Sequence, residues 1–157
     1  MQQYYNEFVK SILDSVVNEL SLGKHRKFSF SDMGYFKKWW NELEDESIKK
    51  NVTKLINEGQ LELVNGAISM NDNACVNFED TIDNYYYGHK FILENFKNIT
   101  SVGWHIDPFG HSATQAILLD KMGFLGLVIN RIDHKDKAIR IQDKNLDFNW
   151  IPAKNTN

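Results

Sequence analysis

Short apolar runs with strand character alternate with longer stretches of three-to-four spacing along this chain, and that alternation restricts the fold more than any other feature. Tyr5, Phe8, Val9, Ile12, Leu13, Val16, Val17 and Leu20 recur at helical spacing, so one face of a first helix is apolar, and Gly23 closes it. Residues 27–30, KFSF, alternate as a strand. Ser31 or Asp32 can cap a helix carrying Tyr35, Phe36, Trp39 and Trp40, in which both tryptophans are expected to be core. Ser47 is placed to cap the next helix, with Ile48, Val52, Leu55 and Ile56 as its stripe and Gly59 at its end. Further strands are expected at 61–64, 101–106, 125–130 and 146–151. Helices are expected at 78–96 and from Ser112 to Met122, where Gly123 stops the turn. Strand then helix, repeated without an internal linker, is the pattern of a parallel α/β sheet.

At 157 residues the chain suits one folding unit, which would bury about 70% of its unfolded surface. Apolar residues make up 42% and charged residues 25%, a globular composition. The net charge is -3 and lysines and arginines are scattered without a basic face, which argues against a nucleic-acid or membrane partner. No apolar run reaches the roughly 18 residues of a membrane span. The single cysteine, Cys75, excludes an internal disulfide and a cysteine-based zinc knuckle. The opening residues MQQYYNEFVK lack the pattern of a signal peptide. Two sequons, Asn51-Val52-Thr53 and Asn98-Ile99-Thr100, point weakly to the secretory route, although an asparagine-rich chain also acquires sequons by chance.

Residues 101–115, SVGWHIDPFGHSATQ, hold the densest chemistry. In a parallel sheet, functional groups sit where strands run into the following helices, and Asp107 occupies that place. Pro108 fixes the backbone beside it, and Gly110 permits a tight path into the next helix. His105 and Asp107 are two apart and would share a strand face, with His111 a few residues on. These are ligand types for zinc or another divalent ion. A helix-capping aspartate with buried, hydrogen-bonded histidines accounts for the same spacing.

The stretch W-x-I-D-P-F-G-H-S at residues 104–112 resembles the signature of the glycoside hydrolase family 38 α-mannosidases. Residues 27–40, KFSFSDMGYFKKWW, resemble that family's strand followed by a Trp-Trp helix. Residues 59–74, GQLELVNGAISMNDNA, resemble its G-x-L-E-x-x-x-G-G-W-V-M-x-D-E-A segment, and residues 119–137 are closest to the lysosomal-type branch. The resemblance implies that residues 1–157 are part of an N-terminal catalytic domain, incomplete at both ends. It also implies a partial (β/α) seven-stranded-barrel-type α/β fold with parallel strands. It implies a zinc-dependent, retaining glycosidase that removes terminal α-mannose from glycans, in the lysosome or the secretory pathway. Asp107 falls on the position that is both nucleophile and zinc ligand. Phe109 and Arg131 fall on substrate-binding positions, and His111 on a residue that supports the loop without binding metal. His105 falls on a variable position, expected to face solvent or a neighbouring loop, while His25, His89 and His134 carry no role.

The chain departs from the family pattern in ways that bear on activity. The first zinc motif, H-x-H-x-D-x-G-W, is absent, and the remaining zinc ligands and the acid/base carboxyl are expected outside these residues. Ile68 stands where relatives carry tryptophan and Asn73 where they carry glutamate. A fragment inactive by itself is one expectation; a degenerate, non-catalytic paralogue that at most binds carbohydrate is the alternative.

Overall fold

A computed structural model describes residues 2–152. Its elements are α1 (Gln2–Tyr4), a π-helical segment (Tyr5–Val9), α2 (Lys10–Ser21), β1 (Phe28–Phe30), α3 (Met33–Glu42), α4 (Glu46–Asn57), β2 (Leu61–Leu63), α5 (Phe78–Phe96), β3 (Val102–His105), α6 (Ala113–Lys121), β4 (Gly126–Ile129) and α7 (His134–Gln142). The four strands expected nearest the amino terminus are all present, shortened by one residue or two. The strand expected at 146–151 does not form; those residues are irregular. Their alternation is that of an exposed segment: Leu146, Phe148 and Ile151 all remain exposed, so no partner strand takes up their backbone.

β1 pairs with β2 in parallel, Phe28 opposite Leu61, and β3 pairs with β4 in parallel, Val102 opposite Gly126. These are two separate parallel pairs, and the described residues do not close a barrel. The pairs are joined edge to edge by a few bonds between β2 and β3. The Asn65 amide donates to the Val102 carbonyl at 2.7 Å, and the buried Thr100 hydroxyl donates to Leu63 O at 2.9 Å. The Trp104 amide, next along β3, donates to the Asn65 side chain rather than to a strand carbonyl. The ladder is interrupted at Asn65 because its φ of 60° turns the chain out of extended geometry.

The main core joins four helices. Leu13, Val17 and Leu20 of α2 meet Met33, Phe36 and Trp39 of α3, Val52, Leu55 and Ile56 of α4, and Phe91, Ile92 and Phe96 of α5. Trp39 is 1% exposed and donates its indole N–H to Asp14 at 2.8 Å; Trp40 packs edge-on against Phe96. Trp39 is a core residue, as expected from spacing, whereas Trp40 is only partly buried and packs against the core's margin. Gln60 solves a capping problem at the end of α2. Its buried amide donates to the carbonyls of Leu20, in the last turn of α2, and of Gly23 and Arg26, in the turn that follows the helix.

The caps differ in detail from their expectation. Asp45, not Ser47, caps α4, because its carboxylate accepts the Ser47 amide at 2.7 Å. Asp32 occupies the cap position of α3 without a side-chain cap bond. There the first amides of α3 find backbone partners instead: Met33 donates to Ala67 O and Gly34 to Ile68 O. Ser112 caps α6 as expected, accepting the Gln115 amide at 3.1 Å. α7 was not foreseen; Asp133 caps it by accepting the amides of Lys135 and Asp136.

Candidate active site

The bend after β3 carries Asp107 out of the strand. His105, the last strand residue, is 0% exposed, whereas the Asp107 side chain is 57% exposed. The two therefore do not share a face, and of the two surroundings expected for His105, solvent or a neighbouring loop, solvent is excluded. Strand alternation stops applying once residues 106 and 107 bend and Pro108 is buried beneath the loop.

Asp107, Phe109 and Arg131 come together. Asp107 Oδ1 accepts from Arg131 Nε at 2.7 Å and also from Arg131 Nη2. The Arg131 guanidinium lies over the Phe109 ring, 4.6 Å from its centroid. β3 delivers the first two residues and the end of β4 delivers the third, so a parallel pair of strands suffices to assemble them. A guanidinium stacked on an aromatic face and forked onto a carboxylate is held in direction on two sides. Asp107 Oδ2 makes no hydrogen bond among the described residues, which leaves one carboxylate oxygen available to an incoming group. Phe109, 74% exposed, presents an open apolar face to the same rim.

Beneath the loop lies a buried polar chain that the sequence reading missed. Asn65, Tyr85, His105 and Gln115 are all buried. The Trp104 amide donates to Asn65 Oδ1, which fixes that atom as the acceptor end of the amide. The Tyr85 hydroxyl then gives its single proton to Asn65 Oδ1, at 2.7 Å. With that proton committed, the Tyr85 oxygen can only accept from Gln115 Nε2 at 3.2 Å and from His105 Nε2 at 2.9 Å. His105 is thus the tautomer protonated on Nε2. Asn71 Nδ2 donates to Gln115 Oε1 at 3.0 Å and extends the chain. Burial, together with nearby His111, lowers the His105 pKa to about 4, and burial raises that of Tyr85, so both are held neutral.

His111 lies at the loop's end with both ring nitrogens buried and unpartnered among the described residues. Proximity to His105 is consistent with a place under the loop. Asp32, at the carboxyl end of β1, is half-buried; burial raises its pKa, while the Met70 backbone acts in the opposite direction. His25 and His134 are exposed, and His89 bonds Asn65 O at 3.2 Å. The segment carrying Ile68 is pinned from both sides: Asn84 accepts the Ile68 and Ser69 amides and donates to Ser69 O, and Ile68 packs on Gly34. Asn73 accepts from Asn71.

As a metal site this constellation is insufficient. Among the described residues no group of three or more His, Cys, Asp or Glu side chains converges. Asp107 faces a guanidinium instead of further donors, and a catalytic zinc takes three protein ligands. No helix among the described residues is long and apolar enough to cross a membrane.

The model of the Glycosyl hydrolases family 38 N-terminal domain matches residues 1–157. A probable alpha-mannosidase of Arabidopsis thaliana is 44% identical over 147 residues, 93% of this chain and 14% of that protein. A lysosomal alpha-mannosidase of Dictyostelium discoideum is 40% identical over 149 residues, 94% of this chain and 15% of that protein. The crystal structure of an alpha-mannosidase from Enterococcus faecalis superposes with a TM-score of 0.66 over 83% of this chain and 14% of its own, at 15% identity; that likeness concerns the fold alone. The chain spans about a seventh of the length of these curated relatives. Its parallel strand pairs, the loop that bears Asp107 and a family match over all 157 residues lead to one statement: this chain belongs to the N-terminal domain family of the family 38 glycosyl hydrolases.

Proposed function

We propose that this chain is the Asp107-bearing part of a retaining α-mannosidase that removes terminal α-mannose from glycans. The observation that carries the reading is the geometry of Asp107: it stands at the carboxyl end of a parallel strand, one oxygen held by Arg131 and the other open. In a retaining mechanism the free oxygen bonds to the sugar's anomeric carbon as the glycosidic bond breaks, and a second carboxyl protonates the departing oxygen. Water then reverses the first step, with that second carboxyl now accepting its proton. Arg131 keeps Asp107 aimed during both displacements, and Phe109 offers an apolar face against which a hexose can lie. His111 and the Asn65–Tyr85–His105 chain support the loop from below.

The second carboxyl belongs, in this reading, outside residues 1–157. The same holds for zinc. It would take Asp107 as this chain's contribution, with its other ligands supplied from elsewhere in the whole protein, where it would polarise sugar hydroxyls. The alpha-mannosidase names of the relatives support the substrate class, and the lysosomal one among them supports a lysosomal or secretory location.

The alternative, a non-catalytic paralogue that at most binds sugar, is favoured by Ile68 and Asn73, which replace an aromatic and a carboxylate of the family pattern. An aryl α-mannoside assay on the protein extended at both ends separates the readings. Hydrolysis that Asp107→Asn abolishes is the expected result. Silence of the extended protein, with mannose still bound, would establish the paralogue.

A further inference from the structure

The loop between α5 and β3 contains the sequon Asn98-Ile99-Thr100. We propose that Asn98 is an N-glycosylation site, acquiring its glycan before β3 docks. The inference rests on the secretory reading only because the chain must meet the membrane-bound donor; it is independent of any mannosidase activity.

The placement of Asn98 favours a substituent. Lys97 ends α5 in the left-handed region, with φ of 55°, and turns the chain away from the helix. Ile99 is 79% exposed. Asn98 Oδ1 accepts the Ile99 amide at 2.6 Å, while Nδ2 makes no hydrogen bond among the described residues. Asn98 also borders an open cleft of about 600 Å³, shared with Tyr86, Leu93 and Ile99, so a first sugar has room without displacing protein. The other sequon differs on each point. Asn51 lies inside α4 and its Nδ2 donates to Ser21 Oγ at 2.8 Å, tying α4 to the end of α2. A sugar added to that nitrogen before folding would keep the two helices from packing as they do, so the folded chain is one left bare at Asn51.

Thr100 sets the order of events. The sequon is read through the hydroxyl two residues after the asparagine. In the folded chain that residue is 8% exposed and its hydroxyl donates to Leu63 O at 2.9 Å, joining β3's approach to β2. The hydroxyl is free only before this junction forms. Transfer therefore belongs to the nascent chain. In chemical terms, Asn98 Nδ2 bonds to C1 of the first N-acetylglucosamine of a polyprenyl-diphosphate-linked oligosaccharide. The C1–O bond to phosphate breaks with its electron pair leaving on the polyprenyl diphosphate, and Nδ2 gives up one proton.

The test is cell-free synthesis of the whole chain behind a cleavable signal, with microsomes present, reading only protease-protected product. In the Asn51→Gln background the expected result is one endoglycosidase-sensitive increase in mass, lost on adding Asn98→Gln or Thr100→Ala and retained with Thr100→Ser. Modification here precedes folding, so a variant that misfolds does not imitate the loss. A protected chain without glycan, or a glycan that survives Asn98→Gln, would overturn the assignment and leave the reading of Asp107 untouched. For the ordering, the folded, unmodified chain is given solubilised transferase and lipid-linked donor. It should remain unmodified; a glycan added to it at Asn98 would overturn the sequence of events.

Discussion

Replacing Asn65 should damage this fold more than its size suggests, because one side-chain oxygen joins the two strand pairs. Asn65 Oδ1 accepts both the Trp104 amide and the Tyr85 hydroxyl. Asn65→Ala leaves both donors without their acceptor, and a stranded buried donor costs about 1–3 kcal/mol. Trp104 is only half-buried, so the two together come to about 3 kcal/mol. Alanine must also hold a φ of 60°, where a Cβ costs roughly 1 kcal/mol or more. Asn65→Gly loses the same acceptor without that penalty. The expected losses are therefore about 4 kcal/mol for alanine and about 3 kcal/mol for glycine. Urea unfolding followed by tryptophan fluorescence measures both. With a slope of about 2 kcal/mol per molar, the alanine midpoint should fall by about 2 M and the glycine midpoint by somewhat less. A midpoint shift below about 0.5 M for alanine, or a glycine variant less stable than alanine, would refute the reasoning.

Gly88→Ala tests the approach of α5 to the loop after β2. Its added Cβ would stand 1.9 Å from the Gly66 carbonyl oxygen and 2.9 Å from Ala67 C, both backbone. The usual gain of about 1 kcal/mol for alanine in a helix should be outweighed, with a net loss of about 2 kcal/mol by thermal melting. Low pH tests His105. A histidine whose folded pKa lies below its unfolded value stabilises fully above the unfolded value and loses that contribution as pH falls. The window is therefore about pH 6.5 to 4, and the loss approaches about 3 kcal/mol. His89 acts in the same direction and Asp32, with a raised pKa, against it. Urea midpoints at the two ends of the window should differ in the native chain, and the difference should shrink in His105→Gln to what His89 and Asp32 leave. Arg131→Ala should cost little stability, within about 1 kcal/mol, since its ion pair is exposed. In the extended enzyme it should lower kcat by up to about 10²-fold, as a misaimed nucleophile does.

The fold was legible where periodicity is strong. α5 spans the residues 78–96 expected for it, and four strands fell within two residues of their expected ends. The segment 146–151 misled because alternation reports a half-buried surface only when a partner is present. α7 was missed because its residues bury no face, leaving only the Asp133 cap as a signal. At the site, Asp107, Phe109 and Arg131 were named from the motif and stand together in space. The Asn65–Tyr85–His105–Gln115 chain was not legible. Its members are 50 residues apart at the extremes, and each looks like an ordinary polar position until the fold brings them into contact. For His105, expected to face solvent or a neighbouring loop, only the solvent option fails, since variability at a position does not reveal whether its side chain is buried.

The central claim is that Asp107 forms the bond to the sugar. A retaining glycosidase passes through a covalent glycosyl-enzyme, which a fluorinated mannosyl fluoride traps by slowing its hydrolysis. Peptide mapping of the trapped, extended protein measures directly which side chain carries the sugar. The account predicts a fluoromannosyl adduct on Asp107, absent from Asp107→Asn. An adduct on any other carboxylate of an active enzyme would contradict it.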